Sequence, residues 1–242
     1  MGRHKAGVMR ELQGMKQVQQ SRYLGLPLVI GRSKRQTFDF IKQKTIDRLK
    51  GWKEKLLSQA GKEVLLKSVI MALPIYVMSC CMLPKDLCRK ISSEMAKFWW
   101  GQREKEHRIH LLSWGRLADG KAERGLGFRE LHEFNLVLLA KQLWRILTRP
   151  NLLMSKVTRA RYFKGTSIWA MKSQSTDSWY WRSLLKAREL LEEGIRKRVG
   201  DGKSIDIWED RWLPNTENGK VKTQRAEGVA VQWVSELIKD GQ

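Results

Sequence analysis

The stretch "SKRQTFDFIKQKTIDRLKGWKEKLL" (33–57) decides the fold class. Phe38, Ile41, Thr45, Leu49, Trp52 and Leu56 recur at spacings of three and four, which marks one face of an α-helix. Ser33 followed by Gln36 matches a capping box and predicts where that helix starts. Lys42, Lys44, Arg48, Lys50, Lys53 and Lys55 occupy the other faces.

Before this helix, 1–22 is polar and basic and reads as a loose arm. "YLGLPLVIG" (23–31) reads as a short strand, which Pro27 confines to an edge. After it, Ser58 predicts the start of a second helix through Val64, Leu65, Val69 and Ala72, which Pro74 kinks or ends. Pro84 predicts the next start, Leu87, Ile91, Met95 and Phe98 form its apolar stripe, and Gly101 stops it. "RIHLL" (108–112) reads as a short extended piece. Further helices are expected over 128–148, with Leu136, Leu139, Leu143 and Ile146 inward, then through Val157 and Ala160, then from Trp181 to Gly194. The period then changes, and "IRKRVGDGKSIDIW" (195–208) reads as a β-hairpin across "GDGK", with Arg196 and Arg198 on one face.

With 242 residues the chain can bury a substantial core. It carries 47 Lys and Arg against 25 Asp and Glu, a formal charge of +22, which favours a polyanionic partner. Eleven tryptophans indicate a folded chain. Cys80, Cys81 and Cys88 give an odd count and no disulfide framework, which fits a reducing intracellular compartment, nuclear or cytoplasmic. The first twenty residues lack a hydrophobic signal core, so secretion is not expected. The most apolar run, 69–83, is broken by Pro74 and falls short of the roughly 20 residues that span a bilayer. No membrane partner is expected.

Catalytic motifs are missing. No phosphate-binding loop of the Gly-x-x-x-x-Gly-Lys-Ser/Thr type occurs, and "GLGF" (125–128) lacks the third glycine of a dinucleotide fingerprint. His107 and His110 have no zinc partners at suitable spacing, and the carboxylates of "DIWED" (206–210) form one local cluster, unlike a two-metal site. Neither cofactor, metal nor catalytic residue is expected. In "KFWWGQ" (97–102), Trp99 can join the stripe of its helix, whereas Trp100 lies about 200° from Phe98 and needs another neighbour, with Trp114 as the candidate. Both rings are expected to be structural.

Most of 20–214 also resembles the reverse transcriptase polyproteins of plant LINE-type (non-LTR) retrotransposons. The residues that carry the likeness are 23–84, from "YLGLPLVIG" to "CCMLP", then "KFWWGQ", "GLGFRELHEFNLVLLAKQLWRIL", "RARYF" and "RVGDGKSIDIWEDRWLP", in family order. The resemblance implies that Tyr23-Leu24-Gly25 is the primer grip ending the palm, and that a thumb and a connection follow. The family's Tyr-x-Asp-Asp, zinc-binding segment and ribonuclease H domain have no counterpart here, so no activity is expected of this chain alone. Lys197 stands where relatives often carry an aromatic residue.

The expected fold is therefore mainly α: a multi-helix, thumb-like bundle with a short N-terminal strand and a C-terminal β-hairpin. Expected divisions are 1–22 (arm), 23–121 (primer grip and thumb), 122–214 (connection and hairpin) and 215–242 (polar tail). A thumb holds the template–primer duplex by its phosphates, which needs basic side chains on rigid helix faces. The expected nucleic-acid-binding residues are Tyr23, Gly25, Arg32, Lys34, Arg35, Lys42, Lys53, Lys55, Lys62, Arg196, Arg198 and Lys203. Partners would be RNA–DNA hybrid, RNA or DNA, together with the rest of a polyprotein. Two rival readings are a helical protein-interaction module and a functionless relic of a decayed element.

Overall fold

The computed structural model describes residues 22–23, 26–27, 33–53, 55, 57–101, 109–163, 168–214, 216, 219–223, 225 and 230–238. The chain is mainly helical and divides into two units, Met1–Asn135 and Leu136–Gln242.

In the first unit, strands β1 (Arg22–Tyr23) and β2 (Leu26–Pro27) pair antiparallel, with Tyr23 opposite Leu26. Helix α1 (Lys34–Lys53) begins at Ser33, whose Oγ accepts the Gln36 N–H at 3.4 Å. Phe38, Ile41, Thr45 and Leu49 are buried, as their spacing predicts. Thr45 returns its hydroxyl to the Ile41 carbonyl at 2.9 Å, so the stripe's one polar member is satisfied locally.

Helix α2 (Gln59–Leu65) is capped by Ser58, which accepts the Gly61 N–H at 3.2 Å. It runs on as a π-turn, Leu66–Ile70, in which the Met71 N–H reaches back five residues to the Leu66 carbonyl. The buried face here is Lys62, Leu66 and Ile70, while Val64 is exposed.

After α3 (Ile75–Cys80), Pro84 precedes α4 (Lys85–Trp100), whose Leu87, Ile91, Met95 and Phe98 are fully buried. Burying each such side chain contributes about 1.5–3 kcal/mol. Helix α4 packs on α1. Arg35 meets Asp86 near the two N-terminal ends and Trp52 meets Phe98 near the two C-terminal ends, so the helices run in the same direction. Residues 109–112 form no strand, and Ile109 and Leu111 are exposed; a short helix, α5 (Trp114–Ala118), follows.

Asn135 closes this unit. Fully buried, it accepts the Leu83 N–H at 2.7 Å and donates to the carbonyls of Met78 and Cys81 at 2.7 and 3.1 Å. One amide thus satisfies the polar backbone left open where α3 ends. Burial pushes the Cys81 and Cys88 thiols up to about 12, which keeps them protonated and unreactive.

Helix α6 (Leu131–Thr148) carries the chain into the second unit, where Leu139, Leu143 and Ile146 are buried. Arg159, on α7 (Leu153–Tyr162), donates to the Ile146 and Leu147 carbonyls at 3.0–3.2 Å and so caps α6. The buried side chains of α7 are Ser155 and Thr158, while Val157 and Ala160 are exposed. The helix expected from Trp181 to Gly194 is two helices, α8 (Trp179–Lys186) and α9 (Arg188–Gly194), broken at Ala187.

The hairpin expected over 195–208 does not form. Residues 195–199 are not a strand; the Ile207 N–H donates to the Gln232 carbonyl and the Val234 N–H to the Ile205 carbonyl. The reason is apolar burial. Ile205 and Ile207 pack with Val234, and Trp208, Trp212, Val221 and Val231 pack against them, whereas 195–199 offers mainly Arg and Lys. Gly202 makes this possible. Its φ of +69° suits the turn, and a Cβ there would stand 2.5 Å from the Ser235 nitrogen.

Candidate nucleic-acid interface

Because the stripe of α1 faces the core, its basic residues flank that stripe. Arg35, Lys42 and Lys53 fall at i, i+7 and i+18, within about 20° of one another around the helix, and Lys44 and Arg48 take the other flank. Arg35 Nε lies 3.5 Å from Asp86, which also takes Lys90 Nζ at 3.3 Å, so the first flank borders α4. Both pairs are largely solvated and weak. Among the described residues, Lys42, Lys44, Arg48, Lys50 and Lys55 have no ion-pair partner. Lys44 Nζ sits 5.9 Å from the centre of the Phe40 ring, and Lys34 is exposed in the first turn. Gly25, Arg32 and the side chains of Tyr23 and Lys53 lie outside the described residues.

Lys62 is placed differently. Only 3% exposed, its Nζ donates to the Trp99 and Gly101 carbonyls at 3.3 and 2.9 Å and stands 5.9 Å from the centre of the Phe98 ring. It caps the end of α4 and cannot present its charge to a phosphate. Lys67 is used similarly. It binds Glu63 at 2.7 Å and the Leu126 carbonyl at 2.6 Å, and its hydrogen bond and charge hold the Glu63 carboxyl below its ordinary value.

In the second unit, Arg196 donates to the Thr216 carbonyl at 3.1 Å, while Arg198 and Lys203 are exposed. Without the hairpin, strand alternation no longer sets Arg196 and Arg198 on one face. Lys197 bonds Asp210 at 2.5 Å and the Ser204 carbonyl at 3.1 Å, so it is a local tie. The "DIWED" carboxylates are similarly occupied. Asp206 accepts the Trp208 and Glu209 N–H groups at 2.9 and 3.0 Å, and its carboxyl is lowered chiefly by the Glu209 bond. Among the described residues no His, Cys, Asp and Glu cluster could hold a metal ion, and no helix is long and apolar enough to cross a membrane.

No protein-family model matches the chain. It is 43% identical, over 144 residues, to "Uncharacterized mitochondrial protein AtMg00310" of Arabidopsis thaliana, a match covering 59% of this chain and 94% of that protein. The chain belongs to that protein's family. It is also 32% identical, over 192 residues, to "Putative ribonuclease H protein At1g65750" of the same plant. That match covers 78% of this chain but 31% of the relative, so this family member spans about a third of the longer protein.

In this family member Trp99, Trp100 and Trp114 each pack against another ring. Trp99 meets Phe128 edge-on at 5.5 Å, and Trp114 stacks on the same ring at 5.0 Å. Trp100, half-buried, stacks with His110 at 6.3 Å, so its neighbour is His110. Sequence reasoning missed Arg89, exposed on α4 and without an ion-pair partner among the described residues. The signal was there: Arg89 lies on the side of α4 opposite the stripe from Leu87 to Phe98.

Proposed function

We propose that the chain is a nucleic-acid-binding segment derived from a plant LINE-type reverse transcriptase, matching the thumb and connection beyond the palm. It grips a template–primer duplex by its phosphate backbone and carries no polymerase or nuclease activity of its own. One observation carries this reading: a rigid helix with its apolar stripe in the core sets Lys42, Lys44, Arg48 and Lys50 outward, without carboxylate partners among the described residues. Cations held in this way suit phosphates, which need charge and position but no base reading. A relative named as a ribonuclease H protein is in keeping with a lineage that handles RNA–DNA hybrids. Lys34, Arg35 and Lys55 belong to the same proposed surface, and Arg196, Arg198 and Lys203 are further proposed phosphate contacts in the second unit. Lys62 has no part in either.

Fluorescence anisotropy with an RNA–DNA hybrid tests the reading. Log affinity should fall linearly with log salt, at about 0.9 per phosphate neutralised. Affinity indifferent to salt, or sharply dependent on base sequence, would refute it. Primer extension with magnesium or manganese should give no product above a heat-killed control. A second reading, a helical protein-interaction module, draws on Leu153 and Val157 of α7, which are 78% and 57% exposed and one turn apart. Preference for an acidic polypeptide over the hybrid would favour it.

A further inference from the structure

A cavity of about 550 Å³ opens in the second unit between the C-terminal end of α7, the 170–177 loop and the start of α8. Its size is in the range of small-molecule sites. One wall is aromatic. The Tyr162 ring lies flat against that of Trp181, with centres 4.5 Å apart and planes 6° from parallel, and the Tyr162 hydroxyl bonds Ser178 at 2.8 Å. The Arg161 guanidinium stands 5.5 Å from the Tyr162 ring centre.

The loop that contributes the polar lining is tied in place. Arg188 donates to the Ile168 and Met171 carbonyls at 3.0 and 2.6 Å, which anchors the start of the loop. Asp177 accepts the Gln174 N–H at 2.7 Å, which fixes its end. That bond engages the one carboxylate lining the cavity, whereas Arg161 and Lys172 are exposed and have no ion-pair partner among the described residues. The lining therefore carries two cations against one occupied anion, beside a flat aromatic pair and the polar residues Gln174 and Thr176.

We propose that this cavity is a binding site for a nucleoside monophosphate, free or as the terminal unit of a strand. Arg161 and Lys172 take the phosphate, since a guanidinium and an ammonium are the side chains that bind it by charge-assisted hydrogen bonds. The half-buried Tyr162 ring, held flat by the buried Trp181 behind it, takes the base or sugar at its edge. The site lies in a different unit from α1, and the inference does not depend on backbone binding there.

Isothermal titration of the full chain with adenosine monophosphate, adenosine and inorganic phosphate tests the proposal. The monophosphate should bind saturably, one per chain, and more tightly than either fragment. Arg161→Ala with Lys172→Ala should weaken it at least about tenfold, the equivalent of one charge-assisted hydrogen bond. Lys156→Ala with Lys186→Ala removes the same charge from exposed positions elsewhere in this unit and should leave binding unchanged. Circular dichroism should show both double variants folded. Competition by a 5′-phosphorylated oligonucleotide, but not by its unphosphorylated counterpart, would assign the ligand to a strand end; failure of both to compete would assign it to the free nucleotide. The absence of saturable binding, equal weakening by the two double variants, or stronger binding of a poly-glutamate peptide would overturn the proposal, even with hybrid binding intact.

Discussion

Helices α1 and α2 both carry lysines beside buried faces, and they use them in opposite ways. On α1, Lys42, Lys44 and Lys50 have no ion-pair partner among the described residues. On α2 and its π-turn, Lys62 and Lys67 reach backbone carbonyls at Trp99, Gly101 and Leu126. The difference lies in what stands opposite. Lys62 faces the C-terminus of α4, whose unsatisfied carbonyls and negative dipole end draw a lysine within reach into capping it, and Lys67 faces the loop carbonyl of Leu126. Lysine density in a sequence therefore overstates the cationic surface wherever one helix passes another's end.

The largest expected effect lies at that end itself. Trp99→Ala should cost about 3–5 kcal/mol, as for other core aromatics, and Trp100→Ala less, by urea denaturation. Equal losses would mean that the end of α4 is not organised around the Trp99–Phe128 pair.

Next comes Lys62→Met, which leaves two carbonyls without their donor. It should cost about 1–3 kcal/mol and leave the salt dependence of hybrid binding unchanged. Lys42→Met with Lys50→Met should do the reverse. Stability should stay within about 0.5 kcal/mol, while the log–log salt slope drops by about 0.9 for each phosphate no longer neutralised. A stable Lys62→Met variant with a reduced slope would erase the contrast between the two helices.

The smallest effect concerns acid. Asp206 is held below the ordinary aspartate value of 3.8 by the Glu209 N–H, with help from Trp208, Gln232 and the Arg225 charge. A lowered folded value stabilises the native state above the unfolded value, and the gain disappears as pH falls through the folded one. The Trp208 and Trp212 signals in NMR spectra should therefore shift below about pH 4, before those of Trp99. Simultaneous change at all three rings would indicate a single global transition instead.

What was legible followed from unbroken periodicity. The stripes of α1 and α4 could be read because every spacing is three or four residues, and the cations of α1 followed from them. The face of α2 was not legible. Its buried positions are Lys62, Leu66 and Ile70, and a buried lysine carries no local signature, so the face starts on a residue that reads as solvent-exposed. The 195–208 segment failed for another reason. Its turn residues fit a hairpin, but Ile205 and Ile207 find Val231 and Val234 some thirty residues on, a partnership no local window contains.

Asn135 also bears on the order in which the chain becomes foldable. Its bonds to Leu83, Cys81 and Met78 close loops of 52, 54 and 57 residues. On the ribosome, α1 and α4 can meet well before residue 135 is made, but the backbone at the end of α3 must wait for that single amide. If α1 and α4 meet at that stage, the first unit holds an apolar core with one polar seam still open. It is a natural point for a holding chaperone to engage and for a prematurely terminated chain to be recognised and degraded.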